Sequence, residues 1–438
     1  SIALLEMIYN KLSKELIDKS LLVFIIRVVS LISGFYFLYL ITQFYGATGL
    51  GYFSLYQSYL MILVLFALLG TDIASLKFVS QYLGDGNFIK IRSIYKTIMK
   101  LVFPLSILLS LILFFSKNYI AVNIFNDERM VAVLKYVSLC ILPMSLINIH
   151  SESFRGLKKV ELSSIFRYLL VPIMSVIFTY LLFFKFQFGI ITPIVSYSIS
   201  ILIISCLSTV AWFAEIDFLK SKNSSHTSLL DILNFSFPLF LSSSMMLLLQ
   251  WIDVAILGYY VTTADIGIYN VVVKVSMISS IILFSINSIA APKFSELFSK
   301  NKFDELKELV KQTSKLIFVA SLPILLLIFV GKGYILNFFG KEFMQGSMSL
   351  NILILGQVVN VICGSVGYVL IMTENQKIFR NIILITTMLN IILNILLIPV
   401  LGILGAAIAS MICIISWNLS SYIYIYRKYN FSTIWFIN

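Results

Sequence analysis

The chain has 438 residues, of which 60% are hydrophobic and only 12% are charged, and its formal net charge is +12. Because soluble domains carry about a quarter charged residues, this composition leaves too little polar surface for a water-facing exterior. A helix needs about 20 apolar residues to cross a membrane, and many stretches of that size are present. The composition therefore excludes a soluble enzyme and a single-pass receptor. The lack of alternating apolar and polar residues argues against an outer-membrane barrel.

Apolar runs between clusters of charge predict an all-α polytopic membrane protein with twelve transmembrane helices. The predicted spans are residues 20–43, 47–70, 95–115, 131–150, 164–184, 189–213, 233–258, 263–290, 312–331, 347–372, 380–398 and 401–425. A polar segment divides them into two groups of six. We therefore expect an N-terminal six-helix bundle at residues 1–213, a cytoplasmic linker at 214–232 and a C-terminal six-helix bundle at 233–438.

Lysine and arginine are distributed unevenly over the connections between these spans. Of the 32 basic residues, 24 lie on one alternate set of connections and only 5 on the other. Because cytoplasmic connections carry the excess of basic residues, both termini are predicted to be cytoplasmic. The positive net charge is then explained by orientation and by contact with anionic lipids, and no nucleic-acid partner is predicted.

The second half of the chain repeats landmarks of the first half at an offset of 216 residues. Gly51 aligns with Gly267, and Lys77 aligns with Lys293. Because the offset spans an even number of helices, both copies have the same orientation in the membrane. The halves are therefore predicted to be parallel repeats around a central cavity, as in alternating-access transporters. A duplicated scaffold that does not transport is the alternative.

Three basic residues, Arg27, Lys135 and Lys274, lie within or at the ends of predicted spans. A charge at membrane depth costs about 2.5–3.5 kcal/mol on insertion scales, and Arg27 and Lys274 are the two that matter here. Arg27 stands one or two turns inside the cytoplasmic end of the first span, where it either faces a cavity or reaches the membrane surface. Lys274 lies near the middle of the eighth span, one turn from Asn270. Each cation needs an acidic partner or an aqueous cavity. Together they predict an anionic ligand, such as a diphosphate or an acidic sugar.

The seventh span carries a polar stripe formed by Ser236, Ser243, Gln250 and Asp253. Their spacing places them on one face of a helix, which is predicted to line the interior because a lipid-facing polar stripe would be costly. Asp253 is the candidate partner of Lys274. Alternatively, it carries a coupling Na⁺ or H⁺, the only ion that the sequence suggests.

Further polar side chains inside the spans predict contacts to glycan. They are Tyr56, Gln57, Gln250, Asn270, Gln357 and Asn360. Aromatic rings beside amides suit sugars, which have apolar faces and hydroxyl edges. The alternative is that these residues bond between helices or lie at a membrane interface.

No metal site, cofactor or catalytic centre is predicted. The cysteines Cys140, Cys206, Cys363 and Cys413 occur singly in apolar stretches, so they are expected to be small core residues. Nucleotide-binding motifs are missing, and the predicted outer connections are short and poor in acids. These features disfavour a membrane polymerase or ligase and favour a transporter over an enzyme.

The first two spans resemble a known family. Arg27-Val-Val-Ser-Leu-Ile-Ser-Gly34 is followed by Tyr45-Gly46-Ala-Thr-Gly49-Leu-Gly51-Tyr52-Phe53 and by Leu69-Gly70-Thr-Asp72. This pattern is similar to the start of Wzx-type polysaccharide-transport flippases, and the six-plus-six layout extends the resemblance over the whole chain. The superfamily, abbreviated MOP, also holds the multidrug and toxin extrusion (MATE) antiporters and the lipid II flippases. The resemblance implies a MATE-like fold of two six-helix bundles around a central cavity.

The resemblance also implies roles for the two cations. Arg27 is similar to a first-span arginine of lipid II flippases, where cavity cations meet the diphosphate. Lys274 has an eighth-span position at which such relatives also place a cation. The wider arginine cluster of lipid II flippases is missing, so a specific lipid II substrate is disfavoured.

The implied function is an alternating-access flippase of the bacterial inner membrane. Its substrate would be an undecaprenyl-diphosphate-linked oligosaccharide, such as an O-antigen repeat unit of lipopolysaccharide, moved from the inner to the outer leaflet. Membrane lipids and other polysaccharide-assembly membrane proteins are the expected partners. A MATE-like cation-coupled drug antiporter, a glycan polymerase or ligase, and a scaffold in a glycan-assembly complex are the alternatives.

Overall fold

A computed structural model describes residues 2–185, 189–218 and 229–436, and long apolar helices make up most of these ranges. The helices are α1 (Ile2–Leu68), α2 (Thr71–Gly84), α3 (Phe88–Tyr119), α4 (Met130–Gly156), α5 (Val160–Ser164), α6 (Leu170–Lys185), α7 (Thr192–Phe218), α8 (Leu229–Tyr260), α9 (Thr263–Ser276), α10 (Ile278–Ser299), α11 (Phe303–Phe339), α12 (Ser347–Cys363), α13 (Val366–Met372), α14 (Gln376–Leu401) and α15 (Ile403–Tyr429). A π-helical turn, Ile120–Ile124, follows α3, and a second one, Ile165–Leu169, joins α5 to α6. Short 3₁₀ turns at Gly189–Ile191 and Lys341–Gly346 precede α7 and α12.

Ten helical stretches of the described residues are long and apolar enough to cross a membrane. One of them, Ile25–Leu68, contains 44 residues, which at 1.5 Å per residue is enough for two crossings. The first two predicted spans both fall within it. A multi-pass helical membrane fold is therefore confirmed, whereas the count of twelve spans stays a prediction.

A glycine breaks α1 between its two predicted spans. Gly46 has φ 63°, a left-handed conformation that only glycine adopts without cost. The next amide, on Ala47, donates a hydrogen bond of 2.5 Å to Oε1 of Glu342. A carboxylate therefore caps the helical segment that starts at Ala47, where free N–H groups favour negative charge.

The described residues form two compact units. The first unit ends at Tyr45 and resumes from Tyr56 to Ser243, and the second contains Gly46–Leu55 and the chain from Ser244 onward. The bundle boundaries expected at residues 213 and 233 stay a prediction. Residues 219–228 of the predicted linker lie outside the described residues, and α7 and α8 extend into the two ends of that linker.

Each unit has its own core. In the first, Trp212 packs against Tyr95 and Phe154, and the buried His150 is hydrogen-bonded to Tyr95 and Ser208, each at 3.0 Å. In the second, an apolar cluster joins α10, α11, α12, α13 and α15. Its buried members are Ala290, Phe294, Leu306, Val310, Cys363, Val366, Val369, Leu370, Ile425 and Phe431.

The helix bounds of the second half follow those of the first at nearly the offset found in the sequence. The apolar helices Val160–Lys185 and Gln376–Leu401 both contain 26 residues, and they begin 216 positions apart. Likewise α4 ends at residue 156 and α13 at residue 372. This correspondence agrees with an internal repeat, although the description as two six-helix repeats stays a prediction.

The structure corrects one expectation about the cysteines. Cys140, Cys363 and Cys413 are buried, as predicted for core residues, but Cys206 is exposed. An apolar segment of a membrane protein can face lipid. The apolar neighbours of a residue in the sequence therefore do not require that residue to be buried inside the protein.

Candidate functional site

Asp253 is the centre of a buried polar cluster in the second unit. Its carboxylate accepts hydrogen bonds from Tyr269 Oη at 2.9 Å, from Asn394 Nδ2 at 2.7 Å and from Ser410 Oγ. Each of the four residues comes from a different helix, α8, α9, α14 or α15. Because a buried carboxylate is costly unless it is hydrogen-bonded, these three neutral donors explain how Asp253 can be only 6% exposed.

A pair of asparagines completes the surroundings of Asp253. Asn390 and Asn394 lie one turn apart on α14, and Nδ2 of Asn394 donates to Oδ1 of Asn390 at 3.1 Å. Oδ1 of Asn394 is buried and has no hydrogen-bond partner among the described residues. The cluster thus combines one carboxylate with amide and hydroxyl oxygens, the donor set that hard cations prefer.

Sequence reasoning found Asp253 but missed its neighbours Tyr269, Asn390, Asn394 and Ser410. A signal was present, because two asparagines at an i, i+4 spacing deep in an apolar helix share one face and are expensive to expose to lipid. The spacing does not reveal which other helix that face meets.

Lys274 does not form the predicted ion pair with Asp253, and no salt bridge joins these two described residues. Its side chain is half-buried, and its Nζ lies 5.8 Å from the ring centroid of Trp251. Asn270, one turn away, is buried, and its Oδ1 has no partner in the described part of the chain. Helical periodicity correctly assigned these two residues to one face, but it could not identify the residue opposite.

The residues of the predicted polar stripe on α8 differ in burial. Ser236 and Asp253 are buried, whereas Gln250 is exposed. The side chain of Ser243 lies outside the described residues. The stripe therefore does not line the interior along its full length.

Two of the predicted glycan-binding amides bond between helices of the second unit. Oε1 of Gln357 accepts from Ser280 Oγ and from Asn360 Nδ2, each at 3.1 Å. Oδ1 of Asn360 in turn accepts from Nδ2 of Asn418 at 3.2 Å. Gln357 and Asn360 are both buried. This network of hydrogen bonds therefore joins α10, α12 and α15.

In the first unit, Tyr56 and Gln57 belong to an aromatic and hydroxyl cluster. Tyr56 is fully buried, and its hydroxyl accepts a hydrogen bond of 3.0 Å from Ser198. Gln57 is half-buried and is hydrogen-bonded to Tyr197, whose ring meets that of Tyr56 edge-on. Of the two, only Gln57 is accessible to a ligand.

Arg27 is exposed in the first unit and lies near an aromatic ring. Its guanidinium carbon lies 5.6 Å from the ring centroid of Tyr168. Within the described residues it has no carboxylate partner. Tyr168 was not predicted as a site residue, because its contact with α1 is not visible in a single sequence.

Comparison with protein families gives two matches. A family model described as polysaccharide biosynthesis protein matches residues 16–298. A second, described as MatE, matches residues 238–396.

Three curated proteins are similar in sequence to part of the chain. The probable flippase AglR of Haloferax volcanii is 29% identical over 168 residues, which cover 37% of this chain and 35% of that protein. The probable low-salt glycan biosynthesis flippase Agl15 of the same organism is 27% identical over 203 residues, which cover 46% and 43%. The capsular polysaccharide biosynthesis protein CapF of Staphylococcus aureus is 26% identical over 234 residues, which cover 52% and 59%. The chain thus matches between 35% and 59% of the length of these relatives.

Solved structures extend the likeness over nearly the whole chain. An inward-facing multidrug resistance MATE transporter of the MOP superfamily has a TM-score of 0.71 at 12% identity, covering 93% of this chain and 94% of that one. The lipid II flippase MurJ has a TM-score of 0.68 at 17% identity, with coverages of 93% and 87%. At such identities the likeness shows the fold alone, and that fold is the MATE-like one.

Proposed function

The chain belongs to the polysaccharide biosynthesis protein family, the Wzx-type flippases of the MOP superfamily, and on this premise we propose that it is a flippase for a lipid-linked glycan. Its substrate would be an undecaprenyl-diphosphate-linked oligosaccharide, such as an O-antigen repeat unit, moved from the inner to the outer leaflet of a bacterial inner membrane. Both termini would be cytoplasmic. The protein would be a transporter and not an enzyme.

The observation that carries this proposal is an unpaired cation in each unit. Arg27 and Lys274 lie in predicted spans, and neither has a carboxylate partner in the part of the chain that the structure describes. A cation at membrane depth is costly without a counter-charge. The diphosphate or an acidic sugar of the substrate would supply that charge to each cation, and accessible Gln57 and Gln250 would contact glycan hydroxyls.

The Asp253 cluster supports a coupling role in the second unit. Its carboxylate and the unpartnered Oδ1 of Asn394 could bind Na⁺, or the carboxylate could bind H⁺. A bound cation would neutralise the buried charge and would compete for the carboxylate oxygens that otherwise accept hydrogen bonds from α9, α14 and α15. In this way, ion binding would bias the packing of the second unit.

The match of residues 238–396 to the MatE family favours one second candidate, a cation-coupled drug antiporter. That match contains Asp253 and Lys274 but not Arg27. A drug antiporter would therefore depend on Asp253 and tolerate loss of both cations, whereas a diphosphate flippase would depend on the cations.

We test the proposal by measuring delivery of lipid-linked glycan to the outer leaflet. A strain deleted for the gene is complemented with wild-type protein or with Arg27→Ala, Lys274→Ala or Asp253→Asn. Arg380→Ala and Lys377→Ala, which remove basic residues near the start of α14, serve as matched controls. Membrane abundance of each variant is measured in parallel.

We expect wild type and both controls to restore delivery and the three site variants to fail at normal abundance. Full delivery by Lys274→Ala and Arg27→Ala would refute their role in binding substrate. Failure of the wild type to restore delivery, together with drug export that Asp253→Asn abolishes, would identify the antiporter instead.

A further inference from the structure

An apolar cavity of about 250 Å³ lies in the first unit, and none of its lining residues has a role in the proposed function. Its wall is built from α1, α3, α4 and the π-helical turn Ile120–Ile124. No polar atom of the described residues contributes to its surface, and the lining residues are Tyr59, Ile62, Leu63, Leu113, Ile120, Ile124, Phe125 and Leu134. In proteins an apolar cavity of roughly 150 Å³ lined by such side chains stays dry and binds benzene. The cavity is therefore suited to hydrocarbon and not to water.

The cavity opens toward the apolar surface of the unit. Ile124 is 39% exposed, and Leu113 and Ile120 are half-buried, whereas Leu134 at 2% exposure forms the floor. Exposed apolar side chains of a membrane-spanning bundle face lipid tails, because no water is present at that depth. A hydrocarbon chain that enters from the bilayer would supply dispersion contacts to the lining atoms on their open side.

The π-helical turn forms one wall of the cavity. Ile120 and Ile124 both belong to this turn, and the N–H of Phe125 donates to the carbonyl oxygen of Ile120 at 3.2 Å. The ring centroid of Phe125 lies 5.9 Å from that of Tyr59 on α1. Single π-helical turns are frequent at functional sites. The helix is thus irregular at the place where the cavity is formed.

A lysine lies on the same helical face as two of the lining residues. Leu113, Lys117 and Ile120 follow one another at spacings of four and three residues, which places them on one side of α3 and its continuation. Nζ of Lys117 donates a hydrogen bond of 2.9 Å to the carbonyl oxygen of Phe114. An ammonium has three N–H donors, so two are left for a ligand. No carboxylate lies within ion-pair distance of Lys117 among the residues that the structure describes.

The other charged residues of the connection between α3 and α4 largely offset one another. Arg129 follows Asp127 and Glu128, and its backbone N–H donates to the carboxylate of Asp127 at 2.9 Å. Lys135 is exposed and lies one residue after the floor of the cavity. The charge that remains beside the cavity is that of Lys117. One such cation matches the single phosphate of a phospholipid better than the diphosphate of a polyprenyl lipid.

We propose that this cavity binds one acyl chain of a phospholipid, with the lipid phosphate on Nζ of Lys117. The connection between α3 and α4 is expected on the outer side of the membrane, so the lipid would come from the outer leaflet. It would join the second predicted span, on α1, to α3 and α4 and would stabilise the first unit. This phospholipid is a ligand distinct from the glycan substrate of the proposed function.

The test uses purified full-length protein in detergent, to which phosphatidylglycerol or undecaprenyl diphosphate is added separately. Bound lipid is counted by native mass spectrometry, and the thermal unfolding midpoint is measured with and without lipid. Ile62→Phe and Ile120→Phe fill the cavity from α1 and from the π-helical turn. Ile112→Phe is their matched control, because Ile112 lies on α3 outside the cavity and is exposed. Lys117→Gln removes the cation, Lys117→Arg keeps one, and Lys185→Gln removes another lysine of the first unit.

We expect the wild type to retain one phosphatidylglycerol and to unfold at a higher midpoint with it, because a ligand that binds the folded state stabilises that state. Ile62→Phe and Ile120→Phe should lose both effects, and Ile112→Phe should keep them. Without lipid, the midpoint of the two filled variants should not fall, since the added ring makes the missing contacts. Lys117→Gln should weaken binding by about ten-fold, the factor for one charge-assisted hydrogen bond. Lys117→Arg and Lys185→Gln should bind like wild type.

Retention of one phosphatidylglycerol at wild-type affinity by a folded cavity-filling variant would overturn the site. Tighter binding of undecaprenyl diphosphate, lost in the same variants, would assign the cavity to a polyprenyl chain and overturn the phospholipid. Unchanged affinity in Lys117→Gln would refute the phosphate contact. Because the two rings enter from different segments, one folded variant is enough for the test. None of these results depends on glycan delivery, so the lipid site and the flippase can fail separately.

Discussion

Glu152 is the carboxylate on which two arginines of the first unit converge. It is 7% exposed, and its two oxygens accept separately from Arg155 and Arg167. Asp72 acts electrostatically on Arg167 from α2. Removing one member of a buried pair leaves the other without compensation, which costs far more than losing an exposed pair.

We therefore expect Glu152→Gln to destabilise the protein by about 3 kcal/mol, the lower end of the range for buried pairs, because Arg167 is partly exposed. The measurement is the thermal unfolding midpoint in detergent. Glu296→Gln is the matched control, since Glu296 and Lys300 form an exposed pair whose loss should leave the midpoint nearly unchanged. Equal midpoints for the two variants would show that Glu152 has no special structural role.

At the scale of elements, two glycines allow helices of the second unit to cross in backbone contact. A Cβ on Gly51 would lie 1.6 Å from the carbonyl oxygen of Thr263, and one on Gly267 would lie 2.0 Å from that of Ala47. Backbone atoms cannot rotate away as a side chain can. The crossing of segment Gly46–Leu55 with α9 thus depends on both glycines.

Gly267→Ala should therefore lower the unfolding midpoint, with a cost of about 1–3 kcal/mol as for other overpacked sites. Gly331→Ala is the control within a helix, because its Cβ would meet nothing closer than 3.8 Å. That change should be neutral or stabilise by up to about 1 kcal/mol, since alanine favours helix. An unchanged midpoint for Gly267→Ala would mean that the two segments do not cross this closely.

The same two glycines show what a sequence can and cannot predict about elements. The offset of 216 residues aligned Gly51 with Gly267 as landmarks of a repeat, but nothing in that alignment indicated that they touch. Apolar runs predicted most helices, whereas the break after Ser276 was missed because Met277 carries no turn signal. Contacts between helices, including all the partners of Asp253, depend on tertiary packing that helical periodicity does not encode.

At the scale of the whole molecule, the multi-pass fold follows from composition, because apolar runs of spanning length leave few alternatives. The orientation rests on the uneven distribution of lysine and arginine alone. It predicts that the turn between α10 and α11, which contains Lys300 and Lys302, faces the cytoplasm. The turn before α4, which contains Glu128, should face the opposite side.

Labelling of single cysteines tests this orientation. Ser299→Cys and Glu128→Cys, both at exposed positions next to these turns, are introduced after replacing the exposed Cys206 with Ser. We expect a membrane-impermeant maleimide to label Glu128→Cys in intact spheroplasts. Ser299→Cys should be labelled only after the membrane is disrupted, because the basic turn beside it stays on the cytoplasmic side. The reverse pattern would invert every span and would place Arg27 and the ring of Tyr168 toward the outer leaflet. A lipid diphosphate bound there would be the product of transport and not its substrate.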